Sequence, residues 1–83
     1  MRLRVKYFAS IREGIGQDGE MVETTATTLG ALRDELIARS GAHATSLARG
    51  RAVRAAVDQV MSAETAVLAE GCEVAFFPPV TGG

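Results

Sequence analysis

Few groups in this sequence could carry chemistry, and most of them lack the neighbours that chemistry needs. Gly14-Ile15-Gly16-Gln17-Asp18-Gly19 has the G-x-G-x-x-G spacing of a dinucleotide-binding turn. That turn works between a strand and a long helix, where the helix N-terminus meets a pyrophosphate. Here the next segment, Glu20-Met21-Val22-Glu23-Thr24, reads as a strand, and no second half is present to hold a dinucleotide. The glycines are expected to form a loose turn joining two strands. His43 is the only histidine, with no cysteine, second histidine or acidic cluster beside it, and is expected at the surface or as a capping residue. Ser46 lacks the strained elbow of a nucleophilic serine. Cys72 has acidic neighbours, Glu70 and Glu73, which disfavour a thiolate, so a structural or incidental thiol is expected. Glu13, Asp18 and Glu20 sit in or near the glycine-rich turn with no histidine or lysine partner in sight. Asp58, Glu64, Glu70 and Glu73 are scattered over turns and strand edges. Acid–base work needs paired groups fixed in a cleft, and no such constellation is legible.

What is left is the carboxylate of Gly83, at the end of Phe76-Phe77-Pro78-Pro79-Val80-Thr81-Gly82-Gly83. A carboxylate is inert until its oxygen becomes a leaving group, as by adenylation. A sulfur or nitrogen nucleophile can then attack the mixed anhydride. Glycine suits this role because, lacking a Cβ, its backbone passes through a narrow channel and its carbonyl is open on both faces. Pro78 and Pro79 stop the preceding strand, since neither donates a ladder hydrogen bond, and hold the following segment extended. Gly82, Thr81 and Val80 then set reach and clearance.

The rest of the chain must present that tail. With 83 residues, one domain is expected, divided into a folded carrier at 1–77 and a tail at 78–83. About 47% of the residues are hydrophobic, enough for one core with little left for an enclosed active site. The formal charge of −1 gives no electrostatic case for nucleic acid. A single cysteine excludes an internal disulfide and a zinc spacing. No long apolar run suggests a signal peptide or a membrane span, so a cytoplasmic protein is expected.

Leu3, Val5 and Tyr7 alternate with Arg2, Arg4 and Lys6, the pattern of a strand with one core face and one basic face. Ala9 to Glu13 reads as one helical turn anchored by Ile11. Thr27 or Thr28 is a fair N-cap for a helix carrying Leu29, Leu32, Leu36 and Ile37 on one stripe, with Arg33, Asp34 and Arg39 interleaved and Gly41 as its stop. Ala42 to Gly50 reads as an irregular crossover or a second short helix. Arg51 to Val57 reads as a strand, Asp58-Gln59 as a turn, Val60-Met61 as a short return, and Leu68 as the buried anchor of the next crossing. In the closing strand, Glu73 to Phe77, Val74 and Phe76 point one way and Ala75 and Phe77 the other. An outward phenylalanine either anchors a protein partner or is covered by the loop from Ser62 to Glu70. The order of elements is that of an α+β protein of the β-grasp type: a mixed sheet of about five strands on one main helix, its first and last strands parallel in the middle.

Gly71-Cys72-Glu73-Val74-Ala75-Phe76-Phe77-Pro78-Pro79-Val80-Thr81-Gly82-Gly83 resembles the closing motif of the MoaD-type sulfur carriers, the small subunits of molybdopterin synthase. Val5 to Glu13 is similar to that family's first strand and turn, Thr28 to Leu32 to its helix start, and Ala55 to Gln59 to its central strand and turn. The likeness spans essentially the whole chain, and its specific part is Phe-Phe-Pro-Pro-Val-Thr-Gly-Gly. Asp58 stands where the family usually has Asn, and Cys72 where it usually has Asp.

The resemblance implies a ubiquitin-like β-grasp fold and a chain that is not an enzyme by itself. It implies that an ATP-dependent activating enzyme adenylates Gly83, and that a persulfide donor converts the adenylate to a thiocarboxylate. The sulfur then goes to cyclic pyranopterin monophosphate in a pocket of the large subunit, twice per pterin, in a complex of two large subunits and two carriers. No tightly bound cofactor or metal is implied; ATP belongs to the activating enzyme. Phe76 or Phe77, whichever faces outward, is expected to bind the partner. Other readings of the same residues are a carrier for another product such as the thiamine thiazole, a protein modifier joined through Gly83 to a lysine, and a plain interaction module.

Overall fold

The computed structural model describes residues 1–79. Strand β1 (Arg2–Tyr7) forms where the apolar and basic residues alternate, and Leu3, Val5 and Tyr7 are fully buried. Helix α1 (Ala9–Ile15) follows, anchored by Ile11. It runs to Ile15 rather than stopping at Glu13, so Gly14 and Ile15 belong to the helix, and the expected turn into the second strand is the shorter one at residues 16–18. Gly14 lies inside α1, where a Cβ would collide with Ser46 Oγ, so the glycine permits close packing on a neighbouring helix. Gly16 ends α1 with φ +89°, a left-handed conformation natural to glycine, and its N–H donates to the Arg12 carbonyl at 2.8 Å.

Strand β2 (Gly19–Glu23) returns antiparallel to β1, with Leu3 opposite Val22 and Val5 opposite Glu20. Helix α2 (Leu29–Ile37) starts at Thr28, whose Oγ1 accepts from the Ala31 N–H at 3.2 Å. Its Leu29, Leu32 and Leu36 are buried on the sheet, each contributing about 1.5–3 kcal/mol by burial. Gly41 is not its stop. Ala38 caps α2, and Gly41 opens helix α3 (Gly41–Leu47), where Ser40 Oγ accepts from the His43 N–H at 3.2 Å. Ser40 outweighs the glycine as a signal because a side-chain acceptor satisfies an N–H left free at a helix start.

Strands β3 (Arg54–Val57) and β4 (Val60–Met61) form a two-residue hairpin at Asp58 and Gln59, with φ of 48° and 69°. Positive φ at both positions is the type I′ geometry, which favours Asn or Asp followed by Gly. Asp58 suits its place: its Oδ1 accepts from the Glu73 N–H at 2.9 Å, a role an Asn carbonyl fills equally. Gln59 carries a Cβ into the left-handed region. Gln59→Gly is therefore expected to raise stability by about 0.5–1 kcal/mol, read as a higher urea midpoint with an unchanged slope. A lower midpoint contradicts this account of the turn.

Strand β5 (Glu73–Phe77) closes the sheet, pairing parallel with β1 and antiparallel with β3. The order is β2-β1-β5-β3-β4, with the first and last strands adjacent in the middle as the sequence leads one to expect. This is the ubiquitin-like β-grasp arrangement. Helices α2 and α3 cover one face, and Leu68 and Cys72 complete the core there. Cys72 is thus a buried structural thiol.

Candidate functional site

β5 alternates as a strand must, and the alternation decides what lies beneath the tail. Val74 and Phe76 point into the core, and the Phe76 ring stacks on Tyr7 at 6.4 Å between centroids. Phe76 is 1% exposed, so it is a core residue and the partner-binding role considered for it is withdrawn. Phe77 is half-buried on the opposite, open face, across from Arg54. The loop from Ser62 to Glu70 does not cover it. That loop packs on the helix side, through Leu29 N–H to Ala66 O at 3.0 Å, Gly30 N–H to Glu64 O at 2.9 Å and Leu68 N–H to Thr27 O at 2.8 Å.

Two further apolar residues of the open face were missed. Phe8 is 44% exposed and sits beside β5, its N–H donating to the Phe76 carbonyl at 3.1 Å. Met21 is 47% exposed and lies opposite Arg4. The period of two in Arg2, Arg4 and Lys6 runs on to Phe8, so that signal was available. Together with Ala75, Phe8 and Phe77 form an apolar surface, with Met21 two strands across beside Arg4; around them lie Arg2, Arg4, Lys6 and Arg54 and the acids Glu23 and Glu73. Pro78 and Pro79 are half-buried at its end. Val80, Thr81, Gly82 and Gly83, to which the chemistry and the tail clearance are assigned, lie outside the described residues.

Glu20 and His43 overturn their expected isolation. His43 is buried, its Nε2 donating to Glu20 Oε2 at 2.7 Å and its Nδ1 lying 2.7 Å from Ser40 Oγ. The Tyr7 hydroxyl donates to the same Glu20 oxygen at 2.7 Å, and Arg39 donates to Oε1 at 3.2 Å. Burial alone pushes the Glu20 carboxyl up. The hydrogen bonds from Tyr7 and His43, with the charge of Arg39, outweigh that and hold it below its ordinary value. Burial and the adjacent Glu20 carboxylate together push the Tyr7 hydroxyl far up, so it stays a donor. Both Glu20 oxygens and both His43 ring nitrogens are already engaged. The cluster therefore braces β1, β2 and α3 together and offers no free acid–base pair.

Arg33 is a second brace. Expected among the polar residues of α2, it is buried and donates to the carbonyls of Leu47 at 2.8 Å and Ala48 at 2.7 Å, which end α3. It also pairs with Glu64 at 2.8 Å, and Glu64 pairs with Arg49. A cavity of about 380 Å³ lies beside the tail root, lined by Leu29, Val53, Ala55, Met61, Phe76 and Pro79 among others. Of its three charged lining residues, Arg33 and Glu64 are bonded to each other, and Arg54 is the third. Among the described residues no group of three His, Cys, Asp or Glu is placed to hold a metal ion.

Residues 5–83 match the model of the ThiS family. The chain belongs to the ThiS family. It is 42% identical over 81 residues to the molybdopterin synthase sulfur carrier subunit of Escherichia coli (strain K12), covering 98% of this chain and 99% of that one. Among solved structures it is similar to small archaeal modifier protein 1 of Haloferax volcanii, with a TM-score of 0.76, 26% identity, and 95% and 98% of the two chains covered. It also shares its fold with a chain from the complex of subunits 1 and 2 of molybdopterin-converting factor from Helicobacter pylori, with a TM-score of 0.69, 21% identity and both chains fully covered. For a ThiS-family chain, the fold places the tail root at the end of the central strand, with one open sheet face beside it.

Proposed function

We propose that this chain is the sulfur carrier subunit of molybdopterin synthase, acting in molybdenum cofactor biosynthesis as a donor and not as a catalyst by itself. The observation that carries this reading is the 42% identity to a curated carrier of that name over nearly the whole of both chains. The fold is consistent with it, since the polar clusters among the described residues are engaged in bracing.

In this reading residues 1–77 are the carrier domain and 78–83 the tail. Gly83 carries the chemistry. An activating enzyme joins its carboxylate to the AMP part of ATP, and pyrophosphate leaves. The outer sulfur of a persulfide donor attacks the adenylate and AMP leaves. A second thiol then cleaves the acyl disulfide, forming a disulfide on the donor side and releasing Gly83 as a thiocarboxylate. In the large subunit the sulfur passes to cyclic pyranopterin monophosphate, and a second carrier supplies the second sulfur of the dithiolene. Gly82, Thr81 and Val80 set the clearance of the tail. Pro78 and Pro79 limit the entropy lost on threading it. Phe77, with Phe8 beside it and Met21 two strands across, anchors the large subunit on the open face. No helix among the described residues is long and apolar enough to cross a membrane, which accords with a cytoplasmic site.

The test is an intact mass after incubation with a cognate activating enzyme, ATP and a sulfur donor. The expected product has one sulfur in place of one oxygen at Gly83. An unchanged mass, with an enzyme proven active on another carrier, rejects the proposal. Larger covalent adducts on cellular proteins in its place favour a protein modifier.

A further inference from the structure

We propose that the surface of this carrier is built to give its own activated tail no acceptor, and that the use of arginine in place of lysine, with Glu73 guarding the one lysine present, is what directs the acyl group to the partner's sulfur. The inference rests on the reading that Gly83 is activated as an adenylate.

An acyl adenylate reacts with amines as well as with sulfur. Self-acylation forms an amide bond between an amine nitrogen and the Gly83 carbonyl carbon. The bond from that carbon to the adenylyl oxygen breaks, AMP leaves with the electron pair, and the amine proton goes to water. A cytosolic surface ordinarily offers several lysines for this reaction. Here Lys6 is the only lysine, and the other eight basic residues are arginines. A guanidinium is protonated at every pH at which proteins work, and it offers charge without a nucleophilic lone pair. The basic open face is therefore built from Arg2, Arg4 and Arg54, which attract an acidic partner without competing for its acyl group.

The other nitrogen and sulfur nucleophiles among the described residues are each paired or buried. Lys6 Nζ lies 3.3 Å from Glu73 Oε1, and Lys6 sits opposite Ala75 on the face proposed to meet the large subunit. The amino nitrogen of Met1 donates to the Thr24 carbonyl at 2.8 Å, with Glu23 Oε2 at 3.9 Å. The thiol of Cys72, the only cysteine, is in the core at 5% exposure, closed to thioester exchange. His43, the only imidazole, is buried with both nitrogens engaged.

The experiment uses three full-length proteins: the parent, the charge-preserving double variant Arg12→Lys/Arg51→Lys, and Glu73→Gln. Arg12 and Arg51 are exposed, and neither has a side-chain partner among the described hydrogen bonds and ion pairs. Each protein is incubated with the activating enzyme and ATP, without a sulfur donor. One arm contains hydroxylamine, which traps activated Gly83 as a hydroxamate. The other contains no added amine and is read by intact mass and peptide mapping for carrier–carrier conjugates. Equal hydroxamate in all three is expected. The parent should give only traces of conjugate, and the double variant a several-fold rise mapping to positions 12 or 51. Glu73→Gln should raise conjugation at Lys6 by at most about fivefold, the worth of an exposed ion pair. Equal conjugation in the parent and the double variant overturns the inference. So does a double variant that stays free of conjugates while hydroxamate accumulates, which would assign the protection to the activating enzyme. Absence of hydroxamate in all three rejects the activated-tail reading itself, and this inference with it.

Discussion

A Gly82→Ile carrier is expected to fold as the parent does and to deliver sulfur about a hundredfold more slowly or worse. The core closes between Leu3 and Phe76, so the substitution leaves every core side chain in place. What it changes, under the proposed function, is the cross-section of the segment that carries the reacting carbonyl. A β-branched side chain adds bulk at Cβ and removes the backbone conformations that glycine alone visits freely. Displacing a reacting atom by about 1 Å can cost about 10²-fold in rate, even when binding is otherwise intact. The measurement is single-turnover sulfur transfer from thiocarboxylated carrier to the pterin on the large subunit, with a thermal melt of the carrier alone beside it. A rate within a few-fold of the parent's, at an unchanged melting temperature, shows that the tail is not threaded through a narrow channel.

Glu20→Ala is expected to be among the most destabilising single changes outside the apolar core. It leaves the Tyr7 hydroxyl and His43 Nε2 without their acceptor in a buried setting, and it removes the contact that ties β2 to α3. The cost of stranding such groups is about 3 kcal/mol. A chain of this length has roughly 4–12 kcal/mol in all, so a large share of its stability is lost. In a domain of this size the melting temperature falls by roughly 12–24 °C. The pH dependence has a definite sign. Glu20 is held below its ordinary value in the folded protein, so the stability it contributes is complete above the unfolded-state value, near pH 4.5. That contribution is lost as the pH falls through the lower folded value. The gap between parent and variant, followed by urea unfolding from neutral to acid pH, should therefore be constant near neutrality and narrow in acid. A gap that widens in acid contradicts the assignment of Glu20 as the ionised acceptor.

The sheet was largely legible because its determinants are local. The alternation from Arg2 to Tyr7 and from Glu73 to Phe77 reports a strand with two distinct faces, and the leucine stripe of α2 reports which side of the helix is buried. The placement of the last strand beside the first is not in any periodicity and came from the order of elements and the family resemblance. The polar braces were illegible for the same reason. Tyr7, Glu20 and His43 lie on three elements and are separated by 13 and 23 positions, while His43 is flanked by Ala42 and Ala44, which say nothing about a carboxylate. Arg33 read as solvated because a cation between leucines usually is. Its burial follows from the carbonyls of Leu47 and Ala48, which end α3 and need donors. Gly41 misled because a glycine after a helical stripe marks a stop only when nothing nearby caps a new start, and Ser40 does. At the site, reading Phe77 as the outward aromatic needed only to know which face the helices cover, which the sequence left open.

The position of β5 also bears on force. A partner that grips the tail and draws on it pulls along β5, which is bonded to β1 on one side and β3 on the other. Load applied along a strand held on both sides is shared by both ladders at once, as shear. The same tail hung from β2 or β4, at the edges of the sheet, would peel its strand away one bond at a time. Under the proposed function, the carrier can thus be tugged through repeated docking and release without its sheet being unzipped from the handle.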